Sequence, residues 1–324
     1  MTEKAIADNP SASSRELPLV SVVLGTYNGE RYLEEQLVSV LQQTYQALEI
    51  IAIDDGSTDK TVEILQKHAA RDGRIKVFIN ERNLGFVRNF EKGAMLSSGE
   101  WIAFCDQDDF WMPEKIEKML KSVGDFPMIY CDSILCDSQL NDLDKRISDV
   151  ANFQTFTDCR QLCVFSRMYG HATLVSRSLF DKARPFIPEM PHDGWLAFHA
   201  TLYGGVAFLP EALVKYRQHE SNVFGAVGRK WKKKSDIGRR ERRRKEIDRV
   251  RTRMTAFYGA CPERLVEQKK LLRALVESYS SFSIKNDIKR AGLFFANHKL
   301  LLAVKKYGTF RKYLFCLKML VKIK

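Results

Sequence analysis

The sequence predicts an α/β protein with a mainly parallel central sheet flanked by helices, followed by a basic helical C-terminal extension. Short apolar segments typical of buried strands alternate with segments of helical apolar spacing. Three of these strands run directly into polar, loop-forming clusters. Charge is divided unevenly: residues 225–324 carry 29 basic and 8 acidic residues, a net +21, whereas the remainder carries 23 and 32, a net −9.

The first half of the chain is a regular alternation of strand and helix. Its predicted strands are 19–24, 48–53, 75–79 and 101–104, and its predicted helices are 31–42, 60–70 and 86–96. The middle is less regular, with strands predicted at 128–135, 172–176, 204–209 and 212–216 and helices from residue 114 and over 191–202. Helical spacing returns at 265–278 and 288–302. We therefore expect a disordered segment at 1–16, an α/β domain at 17–224 and a basic helical region at 225–324.

Composition limits the class of protein. The chain has 324 residues, 45% of them apolar, which is enough for a sizeable core. No run of 18 apolar residues occurs, so no transmembrane helix is predicted, and residues 1–16 lack the apolar segment of a signal peptide. Seven scattered cysteines form no C-x-x-C pair, which favours a reduced, cytoplasmic protein.

The densest group of functional candidates is Asp106, Asp108 and Asp109, which follow the fourth predicted strand. Carboxylates this close repel one another, so a compensating cation is expected. Mg²⁺ and Mn²⁺ are hard ions that bind carboxylate oxygens and share them with a diphosphate. The alternative is a solvated acidic turn that caps the next helix.

Two further polar clusters, residues 26–28 and 54–57, end the first and second strands. Parallel strands bring such clusters to one edge of the sheet, where α/β proteins bind ligands. Asp54 or Asp55 can accept a hydrogen bond from a pyrimidine base or a ribose, and Tyr27 offers a ring for stacking. An ordinary Asp-Gly turn is the alternative for the aspartates.

Other candidates lie apart in the sequence. No G-x-G-x-x-G and no P-loop motif is present, so a diphosphate would be neutralised by metal and by basic side chains such as Arg88 and His219. Both residues could equally be ordinary helix or loop residues. Asp193, beside His192 at a predicted helix start, could act as a general base or simply cap the helix.

Six motifs occur in one order along residues 18–223: 20–28 (VSVVLGTYN), 54–59 (DDGSTD), 83–89 (NLGFVRN), 106–109 (DQDD), 192–196 (HDGWL) and 216–219 (YRQH). With them, the chain resembles the family 2 inverting glycosyltransferases, which have the GT-A nucleotide-diphospho-sugar transferase fold. Residues 170–173 (GHAT), with the HD and YRQH pieces, resemble the rhamnosyltransferase-type enzymes of bacterial surface-polysaccharide (O-antigen) synthesis.

The resemblance implies a role for each matching residue. Asp54, assisted by Asp55, would bind the donor's base in a pocket that Thr26, Tyr27 and Asn28 line. Asp106 and Asp108 would hold a divalent metal on the diphosphate, with His219 as a further ligand and Asp109 assisting. Arg217 and His219 would close over the diphosphate, with Arg88 contributing charge. Asp193 would be the catalytic base. Gly194 stands where close relatives often have a bulky aromatic residue.

The function that the resemblance implies is inverting, metal-dependent transfer of one sugar from a nucleotide-diphospho-sugar to a glycan or lipid-linked saccharide. The absence of a Q-x-x-R-W element argues against a processive synthase. A nucleotidyltransferase would need a Gly-rich basic loop after the first strand, which residues 25–30 lack. A non-catalytic glycan- or membrane-binding module on a degenerate transferase fold remains the alternative.

The basic C-terminal region has three interpretations. Basic helices with interleaved apolar residues suit an anionic membrane surface, which would place the protein peripherally on the inner face of the cell membrane. Nucleic-acid binding is the rival interpretation of this region. No nucleic-acid-binding module is recognised in the sequence, and no nucleic acid is expected as a partner. A solvated helical extension or an oligomer contact is the third.

Overall fold

A nine-stranded sheet organises the described part of the chain, which in this computed structural model comprises residues 17–166, 168–219, 239–281 and 283–320. The strands are Val20–Thr26 (β1), Leu48–Asp54 (β2), Ile75–Ile79 (β3), Trp101–Asp106 (β4), Phe110–Trp111 (β5), Met128–Cys136 (β6), Asp142–Arg146 (β7), Thr173–Ser176 (β8) and Val206–Arg217 (β9). Their order is β3-β2-β1-β4-β8-β6-β9-β5, with β7 paired to β6.

Helices flank this sheet and continue beyond it. They are Leu33–Leu41 (α1), Thr61–Ala69 (α2), Phe86–Leu96 (α3), Lys115–Ser122 (α4), Ile147–Val150 (α5), Arg177–Ala183 (α6), His192–Leu202 (α7), Arg239–Ala260 (α8), Val266–Tyr279 (α9), Ile284–Ala296 (α10), His298–Leu301 (α11) and Thr309–Lys318 (α12). The α/β class predicted from the sequence is confirmed, and β3 and α3 have the predicted bounds.

The sheet is parallel in its first half and mixed in its second. Strands β1 to β4 pair with one another only in parallel, as expected. Strand β8 lies between β4 and β6 and runs antiparallel to both, so the second half departs from the predicted parallel arrangement. Residues 204–216, predicted as two strands, form the single strand β9. A register shift around Asp132 accommodates Pro210 and Glu211 as a bulge rather than a break.

The C-terminal helices share a hydrophobic core with the sheet domain. The ring of Phe257 on α8 stacks on Trp195 and Phe198 of α7, with centroids 6.0 and 4.0 Å apart. The predicted helix over 288–302 is instead two helices, α10 and α11, which meet at Asn297. The predicted disordered segment 1–16 and the predicted boundary at 224 lie outside the described residues.

Two general expectations can be compared with the described residues. All seven cysteines lie in the described part of the chain, where they are buried and unpaired with one another. None of the described helices is both long enough and apolar enough to cross a membrane.

His199 on α7 makes stability dependent on pH. Its ring lies 4.4 Å from that of Trp195, neither ring nitrogen has a hydrogen-bond partner, and burial lowers the pKa of His199 to about 4. The unfolded chain, with an ordinary histidine pKa, takes up the proton first, so stability is lost as pH falls from about 6.5 towards 4. We expect this residue to cost about 2 kcal/mol of unfolding free energy between pH 7 and pH 5. Urea unfolding at both pH values should show that His199→Phe loses correspondingly less free energy of unfolding between pH 7 and pH 5 than the unchanged protein. Equal losses would contradict this role of His199.

Candidate active site

The polar clusters that end β1, β2 and β4 lie side by side, as predicted. Strand register pairs Thr26 with Asp54 and Gly25 with Asp106. The loops that follow are joined across the edge, because the backbone N–H of Tyr27 donates to Gln107 Oε1 at 2.8 Å. One edge of the sheet therefore carries all three clusters.

Asp54 closes the loop after β2 with its own side chain. The Oδ2 atom accepts hydrogen bonds from Thr26 Oγ1 (2.9 Å) and Ser57 Oγ (2.5 Å). The Oδ1 atom accepts from the backbone N–H groups of Gly56 and Ser57, and Gly56 adopts φ 83°, which favours glycine. Asp54 is 0% exposed. In this structure it positions the pocket wall, and a contact of Asp54 with a base stays a prediction.

Asp55 holds the neighbouring loop in the same way. Its Oδ1 atom accepts from Asn80 Nδ2 (2.9 Å) and the N–H of Leu84 (2.8 Å), and Oδ2 accepts from the N–H of Gly85 (2.9 Å). The N–H of Gly85 stands at the start of α3. Asp55 therefore fixes where α3 begins.

Arg88, on the first turn of α3, is half exposed and forms an ion pair with Glu91 (2.5 Å). The other oxygen of Glu91 accepts from the N–H of Phe186, so Glu91 fixes one end of this pair. A phosphate that binds Arg88 has to compete with a carboxylate already in place.

Tyr27 and Asn28 differ in what they offer. Tyr27 is 48% exposed, while its backbone N–H and C=O are both held by the amide of Gln107. Its ring is thus presented to solvent on a fixed backbone. Asn28 has φ 48°, and its Oδ1 atom accepts from the N–H of Thr58, so its side chain serves the loop. Of the predicted pocket residues, Tyr27 is the one open to a stacking ligand.

Asp106, Asp109 and His171 form a candidate metal centre. One ligand atom from each lies within 4.8 Å of the others. His171 Nδ1 is 3.2 Å from Asp109 Oδ2 and 3.7 Å from Asp106 Oδ2. Asp109 is fully buried and its Oδ2 atom has no hydrogen-bond donor, whereas Asp106 is half exposed and opens the group to solvent. An orphaned carboxylate oxygen beside an imidazole and a second carboxylate fits a divalent cation.

His171 was missed as a ligand by the sequence reasoning. It lies in the Gly170–Ala172 turn before β8, and its Nε2 atom is 3.1 Å from Ser133 Oγ on β6. Such a contact at the second ring nitrogen orients a metal-binding histidine. The GHAT segment was recognised only as part of the resemblance, although its histidine was the available signal.

The predicted ligand set of Asp106, Asp108 and His219 is not what the structure brings together. His219 Nε2 lies 2.8 Å from Asp108 Oδ2, and these two form a separate pair beside the centre. The Asp108 backbone C=O accepts from Arg217 Nε at 2.7 Å. Strand β9 ends at Arg217, two residues before His219, and the side chain of His219 is 8% exposed.

Arg217 supports this loop from within. Its guanidinium donates to the C=O groups of Asp108 and Ser138 and to Glu35 Oε2 (2.6 Å), and its N–H donates to Asp109 Oδ1 (3.1 Å). The side chain is 2% exposed. Direct contact with a diphosphate, as predicted, does not fit this arrangement, because the donors face protein acceptors.

Arg217→Ala is therefore expected to lower the free energy of unfolding by about 1–3 kcal/mol, because it removes the donor from two partly buried backbone C=O groups and from Glu35. Lys121→Ala, which removes an exposed ion pair with Glu117, should change it by less than about 0.5 kcal/mol. Urea unfolding of both variants measures the difference. Equal effects would show that Arg217 is dispensable for the loop.

A buried lysine lies beneath the carboxylates. Lys115 is fully buried, its Nζ atom donates to the His171 C=O (2.6 Å), and burial lowers the pKa of Lys115 to about 8. Burial and the charges of Asp108 and Asp106 raise the pKa of Asp109 well above its usual range. The positive charges of the protein near the site thus compensate the negative charge of Asp109 only in part.

Asp193 lies on the first turn of α7, partly exposed. Burial raises the pKa of Asp193 to about 7, and the charge of Asp106 adds to the rise, while N–H groups of Gly194 and Gly170 oppose it. Gly170 also contacts α7 directly: a Cβ atom there would lie 2.7 Å from His192 Nε2. Because His171 is the next residue, this contact brings Asp193 beside the metal centre.

His192 does not compete as a base. Its ring packs 4.5 Å from Phe90 and 4.7 Å from Phe104, both ring nitrogens lack partners, and burial lowers the pKa of His192 to about 4. A Cβ atom on Gly194 would lie 2.6 Å from Met190 Cε, so a larger residue there needs the methyl end of Met190 to move. Met190 occupies the room that a bulky aromatic residue would need.

The site lies at the edge where open α/β sheets bind their ligands. A sequence model described as Glycosyl transferase family 2 matches residues 21–184, about half of the chain, and the chain belongs to this family. A solved structure of Staphylococcus aureus TarS 1-349 with UDP-GlcNAc shares the fold, at TM-score 0.53 and 16% identity over 92% of this chain and 90% of that one. The mannosyltransferase PcManGT of Pyrobaculum calidifontis, solved with GDP-Man and Mn²⁺, gives TM-score 0.50 at 15% identity, over 98% and 89%.

Relatives by sequence are also glycosyltransferases by name. The chain is 30% identical to the putative glycosyltransferase EpsH of Bacillus subtilis over 294 residues, 86% of this chain and 79% of EpsH. An uncharacterized glycosyltransferase of Haemophilus influenzae is 32% identical over 223 residues, 62% of this chain and 66% of that protein. The putative teichuronic acid biosynthesis glycosyltransferase TuaG of B. subtilis is 41% identical over 104 residues, 32% of this chain and 41% of TuaG.

Proposed function

We propose that this glycosyltransferase transfers one sugar, with inversion, from a nucleotide-diphospho-sugar to a hydroxyl of a glycan or lipid-linked saccharide in surface-polymer synthesis. The observation that carries the proposal is Asp193. It is a partly exposed carboxylate with a pKa raised to about 7, beside a group of two aspartates and a histidine. A base poised near the working pH is what acceptor activation requires.

Asp193 takes the proton from the acceptor hydroxyl, and the freed oxygen forms a bond to the anomeric carbon. The bond between that carbon and the diphosphate oxygen breaks, and the nucleoside diphosphate leaves with the bonding pair. Attack from the face opposite the leaving group inverts the configuration. Tyr27 stacks on the donor's base, while Asp54 and Asp55 hold the walls of its pocket.

Asp106, Asp109 and His171 would hold the metal, with Ser133 orienting the histidine. A Mg²⁺ or Mn²⁺ ion there supplies positive charge that stabilises the leaving diphosphate. The presence of Mn²⁺ with GDP-Man in PcManGT supports this proposal. Contact of His219 with the diphosphate is proposed from the resemblance of the sequence; its side chain, like that of Asp108, is largely buried in the pair.

The sugar and base are narrower proposals. UDP-GlcNAc in TarS and GDP-Man in PcManGT show that proteins of this fold take different donors. Rhamnose, carried by a dTDP or UDP donor, rests on the resemblance of the sequence alone. The proposed location is the cytoplasmic side of the cell membrane, with the basic C-terminal region at its surface.

Calorimetric titration with UDP, dTDP and GDP, each with and without Mn²⁺ or Mg²⁺, tests the proposal. We expect one nucleotide to bind tightly and only with metal. Folded protein that binds none of them would overturn the transferase function and favour a non-catalytic module.

A further inference from the structure

Helix α12 is apolar on two faces. One face is internal: Phe315 packs on Phe165 with ring centroids 5.4 Å apart, and Cys316 is buried. The other face is a stripe formed by Phe310, Tyr313, Leu314 and Leu317, spaced three or four residues apart and turned to solvent. Phe310 is 74% exposed and Leu317 is 49% exposed. A helix that has buried one apolar face does not need a second for folding.

The antiparallel neighbour α10 extends this exposed apolar surface. The ring of Phe295 stacks 6.0 Å from that of Tyr313, and Arg290 Nη2 donates to the Met319 C=O at 3.5 Å. This pairing directs the first turns of α10 beyond the C-terminal end of α12. Ile284, at the start of α10, is 80% exposed, and Ile288 follows one turn later on the same side.

The charges around the stripe have one sign. Asp287 is the last acidic residue of the chain, and the 37 residues from 288 to 324 contain ten lysines and arginines and no carboxylate. Arg311 and Lys318 flank the stripe and are exposed. On α12 itself every charged residue is a lysine or an arginine. An apolar stripe beside such cations is complementary to an anionic lipid surface, where side chains insert between headgroups and cations meet phosphates.

We propose that the outer face of α12, continued by the start of α10, docks on an anionic lipid bilayer by inserting Phe310, Tyr313, Leu314 and Leu317. Docking of this face stands independently of sugar transfer. It differs from attraction through charge alone, because affinity then depends on the apolar side chains as well.

The same contacts connect the docked helix to the base, and this step rests on the proposed function. Phe165, on which Phe315 packs, precedes Ser166, and a Cβ atom on Gly194 would lie 3.1 Å from Ser166. Phe165 and Ser166 thus link α12 to the first turn of α7, which carries Asp193. A docked α12 therefore brings the acceptor side of the site close to the bilayer, which favours an acceptor hydroxyl carried on a membrane lipid.

Co-sedimentation with vesicles tests the docking face. The full chain is mixed with vesicles of equal parts phosphatidylglycerol and phosphatidylcholine, and separately with phosphatidylcholine alone. We expect binding to the anionic vesicles, weakened at least roughly tenfold by Phe310→Ser with Leu317→Ser. Met95→Ser with Leu96→Ser is the matched control, since both residues are exposed apolar residues of α3, and should bind like the unchanged protein. Arg311→Gln with Lys318→Gln should weaken binding and reduce its salt dependence.

Each other outcome is decisive. No vesicle binding by the unchanged protein overturns the proposal. So does a stripe variant that stays folded and binds as tightly as the control, which would leave charge alone as the cause. Loss of a dimer in the stripe variant, without vesicle binding by any form, would assign this face to a second copy of the chain. Asp193→Asn should bind vesicles normally, so failure of the transferase proposal is seen separately.

Discussion

Asp193→Asn is expected to lower turnover by roughly 10²–10⁴-fold, the range that a positioned general base contributes. The amide keeps the shape of the side chain but cannot accept the acceptor's proton. Donor binding, measured by calorimetry with nucleotide and metal, should be nearly unchanged, because Asp193 lies on α7 and not among the loops of the donor pocket.

The pH dependence gives this prediction a second test. Only the ionised carboxylate can take a proton, and the pKa of Asp193 is raised to about 7. The rate should therefore rise with pH through about 7 in the absence of other titrations, and a bound cation that neutralises Asp106 should move this rise to lower pH. Because burial disfavours the charged form, the asparagine variant should be no less stable than the unchanged protein at pH 8.

Asp181→Asn provides the control, since Asp181 is a half-exposed carboxylate on α6, in a weak ion pair with Arg184. It should leave turnover and its pH profile intact. Full turnover by Asp193→Asn would exclude Asp193 as the base, and equal loss in both variants would point to a general effect of charge.

His171→Gln is expected to weaken the affinity for Mn²⁺ by about tenfold to a hundredfold. Asp108→Asn should change this affinity far less. The reason is geometric: His171 shares the 4.8 Å group with Asp106 and Asp109, while Asp108 faces His219. Titration with Mn²⁺ alone, without nucleotide, measures the metal directly and needs no knowledge of the substrate.

The reverse result would restore the ligand set expected from the D-x-D pattern. If Asp108→Asn and His219→Gln abolish Mn²⁺ binding while His171→Gln does not, the loop after β4 rearranges on binding metal. Circular dichroism of each variant separates loss of a ligand from loss of fold.

Local sequence patterns are sufficient to predict the first half of the fold and the sheet edge on which the polar clusters lie. Apolar runs such as 48–53 specify buried strands, and parallel pairing then aligns their ends. The second half was less predictable because its pairings are long-range. Nothing near residue 173 indicates that β8 inserts between β4 and β6, so the approach of His171 to Asp109 could not be inferred.

The same limit applies to single side chains. The resemblance places Arg217 in a loop that closes over the diphosphate, yet three protein acceptors surround its guanidinium. Residues 204–209 and 212–216 are predicted as two strands around Pro210 and Glu211, yet a bulge accommodates both residues within one strand. Both arrangements depend on partners more than 70 residues distant.

The stacking of Phe257 on Trp195 and Phe198 has a consequence for the order in which the chain matures during synthesis. Strands β1 to β4 come from consecutive units, so they can assemble on the ribosome as soon as they emerge. Helix α7, which carries Asp193, has its aromatic face covered only when residue 257 has left the exit tunnel. A nascent chain can thus form the sheet edge that carries the polar clusters well before the aromatic face of α7 is covered.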